Sequence, residues 1–185
     1  MDQTLLILLA VVAIVIVAGI FLLQRRRSEH LRSRFGPEYE HEVEQTGSRS
    51  KAEAELARRE KRVEKLTIIP LAPAKRDEFA QRWTDIQAKF VDEPPRAVAY
   101  ADALLAEVMS ARGYPVGDFE QRAGDISVDH PRVVEHYRAG HEIAVRHERG
   151  EASTEELRQA MIHYRALFEE LVDDKKRVPR EKVTH

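Results

Sequence analysis

The chain opens on an unbroken apolar run and then changes to short amphipathic stretches. Residues 4–23, TLLILLAVVAIVIVAGIFLL, hold no charge and no proline. At 1.5 Å rise per residue, twenty helical positions cover about 30 Å, the hydrocarbon thickness of a bilayer. A transmembrane anchor is therefore expected over 1–24. A cleaved signal peptide would need positive charge before a shorter core and small residues after it. Here only Met1, Asp2 and Gln3 precede the run, and arginine follows it.

Downstream, apolar positions recur with helical spacing. Phe79, Trp83, Ile86 and Phe90 fall at steps of 4, 3 and 4; Val98, Ala101, Leu105 and Val108 at 3, 4 and 3. Leu157, Met161, Tyr164, Phe168 and Leu171 fall at 4, 3, 4 and 3. Each set lines one face of a helix. Pro70 and Pro73, Pro94-Pro95, Gly113-Tyr114-Pro115 and Gly150 punctuate these segments. A short helix is expected over 118–125, and a longer one from Pro131 to about His147. Ser153 and Glu156 have the spacing of a capping box at the start of the last helix. No stretch alternates with period 2. The expected fold is all-α, an irregular bundle of about four helices over 67–172, with a disordered tail over 173–185.

Residues 25–66 are expected to form a charged juxtamembrane helical stalk. It breaks at Phe35-Gly36-Pro37 and again at Thr46-Gly47-Ser48. Its last segment, KAEAELARREKRVEKL, offers only Ala52, Leu56, Val63 and Leu66 as an apolar line. That predicts a solvated helix touching the bundle lightly; a coiled-coil homodimer through the stalk is the alternative.

Charge adds orientation. The chain carries 30 Lys+Arg against 32 Asp+Glu, and neither half is basic enough to argue for nucleic acid. Arg25, Arg26, Arg27, Arg32 and Arg34 follow the apolar run, and no basic residue precedes it. The positive-inside rule then puts the N-terminus outside and the C-terminal portion in the cytoplasm. The same arginines should attract anionic lipid heads, at about 1 kcal/mol for each one close to the surface. There is no cysteine, hence no disulfide and no thiolate metal site.

Candidate chemistry is sparse. His130, His136, His141 and His147 share one segment, but those on a common face are eleven residues apart, about 16 Å along a helix. His141-Glu142 begins an H-E-x-x-H pattern that fails at Val145. A metal would need ligands from elsewhere, such as His163 or Glu135, and neither metal nor cofactor is expected. His141 lies among Val133, Val134, Tyr137, Ala144 and Val145 and is the candidate buried histidine. The loop from Arg112 to Phe119 brings Arg112, Tyr114 and Phe119 into one connection. It is a candidate partner or ligand loop, or else a tight connection docked into the bundle. No activated nucleophile, P-loop or dinucleotide motif is present.

Three phrases carry a resemblance: RSRFGPEYEHEV; then QAKFVDEPPRAVAYADALLAEVMSARGYPVGDFEQRAGDISVDHPRVVEHYRAGHEIA; then GEASTEELRQAMIHYRALFEEL. In this order they resemble a bacterial family of single-span, membrane-anchored helical proteins, over most of Arg32 to Leu171. The resemblance implies a bacterial source, one N-terminal span and a helical cytoplasmic portion. It brings no activity and no functional residues. The expectation is a non-enzymatic, membrane-tethered interaction or scaffolding module of the bacterial inner membrane with a protein partner. A small-ligand or pH-responsive helical sensor domain is the alternative.

Overall fold

The computed structural model describes residues 3–173, without the side chains of residues 3–7 and 9. The tail expected to be disordered lies, from residue 174 on, outside the described residues. Within them the chain is all-α: α1 (Gln3–Phe35), α2 (Pro37–Thr46), α3 (Arg49–Val63), α4 (Pro73–Lys89), α5 (Pro94–Ala111), α6 (Phe119–Asp129), α7 (Val134–Glu148) and α8 (Thr154–Asp173). The chain divides into two compact units, Met1–Ala57 and Arg58–His185, and the division falls inside α3.

In the first unit α1 runs without interruption from the apolar segment into the arginine-rich one. Among the described residues no helix is long and apolar enough to cross a membrane. The span read from the sequence starts at Thr4, so part of it lies outside the described side chains, and the described part does not by itself support it. Gly36 takes φ +51°, which a side chain resists, and lets Pro37 start α2. Gly47 closes α2 in the left-handed conformation, its N–H donating to Val43 O.

The segment expected to be a solvated stalk is instead folded. Leu31, Phe35, Tyr39, Ala52 and Leu56 are all buried, at 0–1% exposure. Along α3 alone the few apolar residues make only a thin stripe. Two turns fold α1, α2 and α3 into one unit, and that supplies them with cover.

In the second unit α8 packs on α7, α5 and α4, while α6 packs on α7. The predicted faces all point inward: Phe79, Trp83 and Ile86 of α4, Val98, Ala101, Leu105 and Val108 of α5, and Leu157, Met161, Tyr164, Phe168 and Leu171 of α8. Trp83 stacks on Phe168 with ring centroids 4.7 Å apart. Asp118 caps α6 by accepting from the Gln121 N–H at 2.8 Å. The capping box forms as spaced. Ser153 N–H donates to Glu156 at 2.8 Å, and Glu156 N–H donates to Ser153 Oγ at 3.3 Å.

The bundle departs from expectation in two ways. The short helix expected over 118–125 is longer, because α6 runs to Asp129 and buries Ala123–Val128. Gly124, Asp125 and Ser127 interrupt the apolar residues of that run and leave no helical spacing to read. Helix α7 starts at Val134, not Pro131. His130 N–H still closes α6 on Ile126 O, so the next residues reverse the chain. Two glycines fix close approaches. A Cβ on Gly113 would stand 2.4 Å from Thr67 O, and one on Gly140 would stand 2.7 Å from the Tyr164 ring.

Candidate functional site

The first unit holds a polar cluster that joins α1, α2 and α3. Ser28 is 4% exposed and Tyr39 1%. Tyr39 Oη donates to Glu53 Oε1 at 2.7 Å and accepts from Arg49 Nε at 3.0 Å. Arg49 also donates to Glu53 at 3.0 Å. Ser28 Oγ donates to Glu53 and accepts from Arg49 Nη2. Burial alone would raise the Glu53 carboxyl, but the hydrogen bonds from Ser28, Tyr39 and Arg49 outweigh it and hold the group below its ordinary value. The carboxylate is a fixed anion between three helices.

Beside this cluster lies a groove of about 780 Å³ between α1 and α3, lined among others by Phe21, Arg25, Arg27, Ser28, Arg49 and Glu53. On α1 the lining positions 21, 25, 28 and 32 share one helical face, flanked by 24, 27 and 29; on α3 they are 49 and 53, one turn apart, with 50 and 54 beside them. The five arginines expected to meet lipid therefore divide. Arg25 pairs with Glu29 at 3.0 Å, and both are more than 60% exposed. Arg32 pairs with Glu40 at 3.3 Å and lies over the Tyr39 ring. Arg34 is half-buried and partnered. Arg27 is exposed on the groove, while Arg26 is exposed away from it.

The second unit separates the other candidates. Arg112 is 1% exposed and donates to Leu171 O at 3.0 Å. Tyr114 is 2% exposed and donates to Asp129 at 2.9 Å. At these two positions the candidate loop is therefore buried, as in its reading as a tight connection docked into the bundle. Phe119 is half-buried and stacks on His141, centroids 3.6 Å apart at 8°. His141 is likewise half-buried. Burial lowers its pKa from the ordinary 6.5. Among the described residues the histidine that is buried outright is His130, 5% exposed, with Nδ1 3.0 Å from Glu170.

Behind the Phe119–His141 stack sits a network that no residue spacing announces. Arg122 donates to Tyr137 Oη at 2.9 Å and to Asp102 at 3.0 Å, and Tyr137 donates to Asp102 at 3.1 Å. It ties α5, α6 and α7 together, and burial pushes the Tyr137 hydroxyl well above its ordinary pKa. That hydroxyl is a donor at any ordinary pH, which fits a structural network. His136 and His163 also meet, Nδ1 to Nδ1 at 3.1 Å across α7 and α8. Burial, and then the neighbouring His136, lower the pKa of His163. Among the described residues no group of three metal-ligating side chains converges.

Finally, Arg62 reaches Asp125, a carboxylate with 0% side-chain exposure, at 2.5 Å from Nη2 and 2.7 Å from Nε. Arg59 packs across Gly124, where a Cβ would stand 3.2 Å from its Nε. The C-terminal turns of α3 are thereby held on α6. No family model, no curated protein and no solved structure matches this chain.

Proposed function

We propose that the protein is a single-span, membrane-tethered interaction module of a bacterial inner membrane, non-catalytic, with its helical units on the cytoplasmic side. One observation carries this reading. Along α1 the large apolar side chains from Val11 to Leu23 are exposed around the whole helix, Ile14 at 67%, Val17 at 65% and Leu23 at 68%. A helix apolar on every face needs an apolar surrounding on every face. The arginines that follow without a helix break supply the orientation, and a tether raises the local concentration of partners. The two folded units carry salt bridges, caps and a packed core, and their polar clusters are knit into helix contacts. Fusing reporters to the C-terminus tests the topology: a cytoplasmic reporter is active and a periplasmic one silent. The opposite pattern overturns the reading. Affinity capture from detergent extracts then identifies the partner, and recovery of no specific protein counts against a scaffold.

The Phe119–His141 stack favours a second reading, a proton-responsive domain. It expects partner capture or ligand binding to change between pH 5 and 7 and the change to vanish in His141→Gln. A response unaltered by that substitution removes it.

A further inference from the structure

We infer that the groove between α1 and α3 seats the headgroup of one anionic phospholipid whose head carries hydroxyl groups, a glycerol or an inositol. The inference rests on the membrane-tethered reading above and names the ligand of its juxtamembrane face.

Depth comes first. If the apolar run fills the hydrocarbon core, Leu23 lies at its edge, and Gln24 to Ser28 climb about 7.5 Å beyond it at 1.5 Å per residue. The headgroup layer on each side is roughly 5–8 Å deep. Arg25, Arg27 and Ser28 therefore stand at the level of the lipid phosphate, and Phe21 lines the groove at its apolar end. The groove's about 780 Å³ falls within the range of small-molecule sites, roughly 300–1,000 Å³.

Chemistry comes second. A groove lined only by cations would favour a bare phosphate. This one sets Arg25, Arg27 and Arg49 beside the carboxylates of Glu29 and Glu53 and the hydroxyls of Ser28 and Ser50. Guanidinium groups donate to phosphate oxygens, whereas carboxylates accept from hydroxyl groups and repel a second anion. Arg27 has no ion-pair or hydrogen-bond partner among the described residues and is open to a ligand. Arg25 and Glu29 form an exposed pair, the kind worth about 0–1 kcal/mol and readily exchanged for a ligand. Glu53 is fixed and ionised by Ser28, Tyr39 and Arg49, so the acceptor side is already in place. Alternating donors and acceptors match a phosphodiester bearing a polyol.

Native mass spectrometry of the full chain in detergent tests this by titration with phosphatidylglycerol, phosphatidylinositol, phosphatidic acid and phosphatidylcholine. One polyol lipid per chain should be retained at concentrations roughly tenfold below the other two, the factor of about one charge-assisted hydrogen bond. Arg27→Gln should lower retention by a similar, roughly tenfold factor. Arg26→Gln removes the same charge away from the groove and should change nothing. Both variants should keep the helicity of the parent chain, since neither side chain holds the fold together. Equal losses in the two variants, or equal retention of phosphatidic acid or phosphatidylcholine, would overturn the seat in favour of diffuse attraction. Soluble glycerol 3-phosphate binding as tightly as the lipid would overturn the lipid assignment. Alkaline extraction of membranes checks the tether separately. A chain that stays in the membrane yet binds all lipids alike loses the seat and keeps the tether; a chain released by alkali loses both.

Discussion

Histidine protonation and aromatic packing set the behaviour of single residues. Folding lowers the pKa of both His141 and His163 from the ordinary 6.5. The unfolded chain then binds more protons just below pH 6.5, so folded stability is complete above that value and declines as pH falls through it. The melting temperature of the full chain should drop over this window, before carboxylates titrate. The double variant His141→Gln, His163→Gln should flatten the drop; an unchanged slope would show that these imidazoles do not couple to folding. Trp83 is 5% exposed and stacked on Phe168. Trp83→Ala should cost about 3–5 kcal/mol in denaturant melts. A double-mutant cycle with Phe168→Ala should leave about 0.5–1.5 kcal/mol for the ring pair. A loss below about 1 kcal/mol would mean that this face is open to a partner.

Helices α4, α5 and α8 were legible because each repeats large apolar residues on one face for more than three turns. Helix α6 was legible over 118–125 but not to its end at Asp129, since its buried run, Ala123–Val128, mixes Gly124, Asp125 and Ser127 with Ile126 and Val128 and repeats no helical apolar spacing. The groove could not be read at all. Ser28 and Glu53 are 25 positions apart and meet only after the chain turns at Gly36 and Gly47. The same holds for His136 and His163, which meet because the Gly150 turn sends α8 back along α7. Between α3 and α6 the charges make an asymmetric forecast. Arg62 is 42% exposed and can return to water, whereas Asp125 at 0% cannot. Arg62→Met should therefore cost more than Asp125→Asn. The expected loss is about 2–3 kcal/mol, below the 3–5 kcal/mol of a fully buried pair because water screens the arginine. Chemical denaturation of both variants checks the order; equal losses would show that Arg59 neutralises the carboxylate unaided.

For the whole molecule, the division inside α3 sets where the second unit starts. A fragment beginning at Arg58 keeps Arg59 and Arg62 on α6, while one beginning at Thr67 loses them. Both should be helical, and the longer should melt higher by roughly 10 °C or more, as a difference of at least about 2–3 kcal/mol implies for a domain of this size. Equal melting temperatures would make the last turns of α3 dispensable. The unbroken course of α1 has a consequence of another kind. Consecutive residues in a helix are offset by a fixed angle, so the apolar segment and the groove-lining face share one rotational phase. No joint lies between Leu23 and Ser28 where the two could turn independently. One residue inserted there would swing the groove about 100° around the axis, and four would return it to within about 40° of its original bearing. The groove is aimed by whatever grips the apolar segment, as the bit of a key is aimed by the hand on its bow.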